Sequence, residues 1–219
     1  MEGIERFVEP QDWITTLLLL VLLILVIVKQ SYSQHFSQFI MLLVTDKYLL
    51  LKGKDPNIFH PFNLLLFLVN VITAGLFIFL FIAAYQEDPI VRPKVLFLRV
   101  ITAYTTFVLL KFGLEKILAN ILALDHKLDY YLFYKLSYRN FLALLLLPMC
   151  ILFIYAWEPN LVQLYIVLGI ILFLNLVTLL GVYRKNQQFI IHNWFYVILY
   201  LCALEIGPYF ILYKLITKL

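Results

Sequence analysis

Phe62 to Ala84 reads FNLLLFLVNVITAGLFIFLFIAA, twenty-three residues without one charge. A helix crosses the hydrocarbon core of a bilayer with about 20 mainly apolar residues, within a range of about 17–25. A soluble strand is shorter and a soluble surface helix keeps a polar face, so this stretch predicts a membrane-spanning helix. Comparable runs lie at 13–28, 95–118, 141–157, 161–183 and 194–216, with polar punctuation between them. The expectation is an all-α, polytopic integral membrane helical bundle of six transmembrane helices, formed as a single membrane domain over residues 1–219.

Composition points the same way. Of the 219 residues, 64% are hydrophobic and 14% charged, and no soluble domain of this size could hide that much apolar surface. With seven glycines and no long Ser/Gly/Pro-rich stretch, there is no segment that reads as a linker. Cys150 and Cys202 lie inside apolar runs, away from any CxxC or Cys/His cluster, and read as small buried hydrophobes. The net charge of +4 does not imply nucleic acid, because membrane insertion itself concentrates Lys and Arg in loops.

The first run follows an acidic leader (Glu2, Glu5, Glu9, Asp12) and has no small-residue cleavage site after it, so it reads as a permanent helix and not a signal peptide. Glu158, Pro159 and Asn160 alone separate the fourth and fifth runs, which predicts a tight helical hairpin with Trp157 in the aromatic belt. Residues 36–51 mix Phe36, Phe39, Ile40, Leu43 and Leu50 with Gln38, Asp46 and Lys47, the pattern of an amphipathic helix lying in the interface. Residues 129–138, rich in tyrosine, are either a second such helix or an early start to the fourth span. Loop cations fall five on one side (Arg6, Arg92, Lys94, Lys214, Lys218) and ten on the other, which puts the ten, from Lys29 to Lys185, in the cytoplasm and both termini in the periplasm.

The polar residues inside the runs are the functional suspects, since a charge at the bilayer centre costs a few kcal/mol. In the third run Lys111 and Glu115 are four apart, stacked by one helical turn and able to neutralise each other, with Lys116 behind them. Arg99 sits one turn inside the opposite end, and Thr102, Tyr104, Thr105 and Thr106 lie between. A helix this polar is expected inside the bundle. In the sixth run Glu205 is near the middle, with Tyr209 and Tyr213 following at steps of four and Pro208 breaking the ladder. Glu205 is then either protonated by desolvation or paired with Arg99 or Lys111. Asn70, Thr73, Asn175 and Thr178 read as interhelical glue. The four histidines, His35, His60, His126 and His192, fall at helix ends or in loops, unlike haem ligands of a membrane cytochrome.

The segment from Trp194 to Leu215, WFYVILYLCALEIGPYFILYKL, resembles the C-terminal signature of a family of multipass inner-membrane proteins of Bacteroidota. The resemblance is carried by Leu199, Tyr200, Cys202, Leu204, Glu205 and Pro208, and extends loosely upstream to Lys111. It implies a bacterial inner-membrane location and marks Glu205, but brings no established activity, cofactor or metal. HExxH, GxSxG, P-loop and GxGxxG patterns are absent from the sequence, which speaks against an enzyme. The leading expectation is a non-catalytic subunit or assembly factor of an envelope complex, surrounded by lipid and by other membrane subunits or further copies of itself. A small proton-coupled transporter using Glu205 with Lys111, Glu115 or Arg99, and an enzyme acting on a lipid-linked substrate near His126 and Arg139, are the alternatives.

Overall fold

The computed structural model describes residues 12–43, 60–85, 92–121, 125–157 and 159–185, and among them every regular element is a helix. In chain order these are α1 (Asp12–Ser31), α2 (Ser33–Ile40) followed by a 3₁₀ turn Met41–Leu43, α3 (Pro61–Tyr85), α4 (Pro93–Ile121), α5 (Asp125–Tyr155) and α6 (Leu161–Lys185). Proline opens both α3 and α4, where its missing N–H would have had no helical partner in any case. At the start of α6, Gln163 Oε1 accepts the Asn160 N–H at 3.3 Å while the Asn160 carbonyl accepts the Leu164 N–H at 3.1 Å. The first is the N3 half of a capping box and the second the opening bond of the helix, and together they start α6 directly after the tight hairpin that the sequence predicts.

The long helices alternate in direction. At one end Trp13 of α1 packs edge-on against Phe79 of α3 and at 5.3 Å against Phe97 of α4. There, too, the hydroxyls of Thr15 and Tyr155 lie 2.7 Å apart, joining the start of α1 to the end of α5. At the other end Tyr32, in the break between α1 and α2, lies 5.3 Å from the His60 ring beside the start of α3. The two ends are called here the Trp13 end and the Tyr32 end. Helices α1, α3, α4 and the stretch Leu132–Tyr155 of α5 are each long and apolar enough to cross a membrane, and Leu161–Val177 of α6 is a shorter apolar stretch.

Helix α3 is the centre. It packs against α1, α4, α5 and α6, and 61% of its apolar window is buried. For α4 the figure is 17%, so the most polar helix sits at the edge of the described bundle with one face open, not inside it as its composition suggests. The reason lies in angular placement. Phe97, Val108, Lys111 and Glu115 fall on one side of α4 and are buried, whereas Arg99, Thr102 and Thr106 fall on the opposite side and are exposed.

Two segments differ in extent from the sequence expectation. The amphipathic helix begins at Ser33 and changes to a 3₁₀ turn at Met41, driving Phe39 and Leu42 into a core with Val28, Phe62, Leu66, Phe133 and Phe141; residues 44–51 of the expected interfacial helix, Asp46 included, lie outside the described residues. Helix α5 starts at Asp125, so residues 129–138 are an early start to this span and not a separate surface helix, and its apolar window opens at Leu132 instead of 141. It continues through Pro148, which removes one ladder donor, the partner of the Leu144 carbonyl. The sixth run, 194–216, lies outside the described residues, as do Glu205 and Tyr209.

Candidate functional site

Polar side chains gather in one seam where α3, α4 and α5 meet. Glu115 lies 22 residues from Pro93, about 33 Å along α4 at about 1.5 Å per residue. Lys135 lies 20 residues from Tyr155, about 30 Å along the antiparallel α5. The two groups therefore reach the same level from opposite directions, and Lys135 Nζ donates to Glu115 Oε1 at 2.6 Å. The carboxylate is 3% exposed and the ammonium 20%. Such a pair is a charge-assisted bond held between helices, and it neutralises a carboxylate that lipid could not solvate.

Stepping four residues from the pair toward the Trp13 end brings Lys111 on α4 and Arg139 on α5 to a common level. Lys111 is 9% exposed and is engaged, not free. Arg139 is half-buried and its guanidinium carbon stands 5.7 Å over the Phe67 ring of α3, a cation–π placement. Asn70 of α3 then ties three helices together. Its Nδ2 donates to the Arg139 carbonyl at 2.9 Å and its Oδ1 accepts the Tyr104 hydroxyl at 3.0 Å. Beyond it, Thr73 Oγ1 and Asn140 Oδ1 are buried without a hydrogen-bond partner, an arrangement that costs roughly 1–3 kcal/mol for each group. Thr73 lies 12 residues from Tyr85, about 18 Å, so the seam runs from the Tyr32 end to near mid-bundle and stops.

Toward the Trp13 end the described residues Ile14, Leu18, Val21, Val69, Ile72, Leu76, Phe79, Phe97 and Leu147 build an apolar core instead. The exposed threonine Thr102 of α4 turns its hydroxyl back to the Leu98 carbonyl of its own helix, and the half-buried Thr105 does the same to Ile101.

Of the sequence-predicted residues, the structure brings Lys111 and Glu115 into this seam, leaves Arg99 exposed on the far side of α4, and does not describe Glu205 or Tyr209. Asn70 bonds between helices as expected; Thr73 is buried beside it, and Asn175 is exposed on α6. Sequence reasoning missed Lys135 as the partner of Glu115, because Lys135 and Arg139 look like loop cations until α5 is known to start at Asp125. The available signal was their spacing of four, continued by Leu142 and Leu146 into the apolar stretch. It also missed the meeting of His35 and His60, whose rings lie 6.1 Å apart beside Tyr32, with the Phe62 N–H donating to His60 Nδ1 at 3.3 Å. Among the described residues no three His, Cys, Asp or Glu side chains come together as metal ligands.

The family model described as "Domain of unknown function (DUF4271)" matches residues 14–216, and the chain belongs to that family. Neither the curated proteins nor the solved structures contain a match to it.

Proposed function

We propose that this chain, as a member of that family, is a non-catalytic subunit or assembly factor of a cell-envelope complex in the inner membrane of a bacterium of the Bacteroidota, with the Tyr32 end cytoplasmic and both termini periplasmic. One observation carries the proposal: Glu115 is locked to Lys135 of the neighbouring helix at 2.6 Å with 3% of the side chain exposed. A carboxylate so placed is neutralised by a cation of the next helix, which suits a joint between helices. The Asn70 bridge from Tyr104 to the Arg139 carbonyl has the same character, since it stitches α4 to α5 through α3. The cellular partners are other membrane subunits or further copies of the chain.

The test is purification from native membranes under mild detergent, paired with deletion. The expected result is a stoichiometric membrane complex whose other members fall in abundance when this chain is absent. A chain that purifies alone and whose loss leaves every membrane complex intact contradicts the proposal.

A small proton-coupled transporter is the second function, favoured by Thr73 Oγ1 and Asn140 Oδ1, two buried polar atoms at the inner end of the seam. Reconstituted vesicles that move protons or a solute, with the flux lost in Glu205→Gln, would establish it in place of the first.

A further inference from the structure

We infer that His60 is a titratable cap of α3: the corner where α1, α2 and α3 meet is fastened by a bond that exists only while this imidazole is neutral, and acidification releases it. The His60 carbonyl accepts the N–H groups of Asn63 at 2.9 Å and Leu64 at 3.2 Å, which makes His60 the residue just outside the first turn and Pro61 the first inside it. At that position a side-chain acceptor satisfies one of the orphan N–H groups of the helix start, a task for which Ser, Thr, Asp and Asn are strongly favoured. Here a ring performs it, since His60 Nδ1 accepts the Phe62 N–H at 3.3 Å.

The acceptor role fixes the proton. A neutral imidazole has one N–H and one bare nitrogen, so with Nδ1 accepting, the proton sits on Nε2. A second proton can go only to Nδ1, where it turns the acceptor into a donor pointed at another donor. It also sets a positive charge at the positive end of the α3 dipole. Both effects act in one direction: the cap is complete above the imidazole range, about pH 6.5, and is lost as the pH falls below it.

The cap joins elements as well as ending one. Tyr32, in the break between α1 and α2, packs edge-on to the His60 ring at 5.3 Å, and the His35 ring of α2 stands 6.1 Å from it. The same two side chains lie against Phe62, at 5.9 and 6.1 Å, so one pair of rings holds both the capping imidazole and the residue whose N–H it caps. The ionisable side chains on the elements around this corner are Lys29, Tyr32 and His35 before α3 and, on α5, the Tyr134–Tyr138 pair, Lys135 and Arg139, with Phe133 and Tyr134 sharing a core with Phe62. No Asp or Glu occurs in α2, in α3 or in 132–155 of α5, so these stretches offer no counter-ion to a charged His60, and a protonated His35 would repel it.

Hydrogen exchange of the full-length protein in lipid nanodiscs tests the inference. Protection of the Phe62, Asn63 and Leu64 amides, taken relative to the intrinsic exchange rate at each pH, should fall about fivefold between about pH 7.5 and about pH 5, the factor that matches loss of a typical cap. His60→Asn, which caps without titrating, should keep protection within about twofold of the parent at the higher pH and hold it at the lower. His60→Ala should be poorly protected at both. His35→Phe, which retains an aromatic ring, should keep the fall seen in the parent. Nitrogen-15 NMR of labelled histidine adds a readout on the parent itself: at the higher pH the His60 proton should be on Nε2. A proton on Nδ1 there, protection in the parent that is constant with pH, or a fall that survives His60→Asn or disappears in His35→Phe would each overturn the inference.

Discussion

The two halves of this bundle solve one problem in opposite ways. At the Trp13 end, α1, α3 and α4 meet through three aromatic rings, Trp13, Phe79 and Phe97, with centroids 5.3–6.2 Å apart and no ionised group among them. From the Tyr32 end to mid-bundle, α3, α4 and α5 meet through the Glu115–Lys135 pair, Arg139, Asn70 and Tyr104, with aromatic contacts such as Phe39 against Phe62 behind them. The apolar joint loses only dispersion contacts when it is cut. The polar joint leaves a charge in a place that cannot hold one, so it is the more specific of the two and the less forgiving.

The largest effect should therefore come from cutting the polar joint on one side. Glu115→Leu strands Lys135 and is expected to cost about 3–5 kcal/mol, the range for breaking a buried pair, read as near-complete loss of the protein from membranes. Adding Lys135→Met to Glu115→Leu should recover most of that loss, because matched apolar side chains carry no desolvation penalty. In the apolar joint, Leu76→Ala removes a side chain that is 0% exposed and should cost about 2–4 kcal/mol through its cavity, seen as a lower unfolding midpoint in detergent. If Leu76→Ala proved more damaging than Glu115→Leu, the contrast between the halves would fail.

Smaller substitutions sharpen the contrast within α3. Asn70→Leu removes both interhelical bonds and should cost about 1 kcal/mol, since hydrogen bonds inside membranes average well under 2. Gly75→Ala sits in the apolar half, and an added Cβ would meet Ile101 at 3.5 Å and Phe97 at 3.6 Å, ordinary contact distances. With the better helix propensity of alanine, Gly75→Ala should be neutral or stabilising by up to about 1 kcal/mol, measured by the same thermal scan. A strong destabilisation there would mean that the α3–α4 approach is tighter than its geometry indicates.

What could be read from sequence divides along the same line. The apolar spans were legible because length and hydropathy act locally: 62–84 names itself as a crossing helix without any tertiary information, and α3 occupies Pro61–Tyr85. The α5–α6 hairpin was legible for the same reason. The polar joint was only half legible. Lys111 and Glu115 stand out as charges within an apolar run, but the partner of Glu115 lies twenty residues on, in another helix, and the register of two antiparallel helices is not written in either one. Among the described helices α4 lies at the edge, with 17% of its apolar window buried, although its many polar residues suggested a central position. Thr102 and Thr105 satisfy their hydroxyls on their own backbone, so these polar positions need no neighbouring helix.

The central claim is that the Tyr32 end is held by the Glu115–Lys135 pair between α4 and α5, and charge reversal at Glu115 tests it. Glu115→Lys alone should remove most of the protein from the membrane. Combined with Lys135→Glu it should return to within about twofold of the parent, because the pair is restored with its polarity exchanged. Combined instead with Lys111→Glu it should remain depleted. Rescue by Lys111→Glu and not by Lys135→Glu would contradict the account, since it would place the stabilising partner of Glu115 one turn away on its own helix.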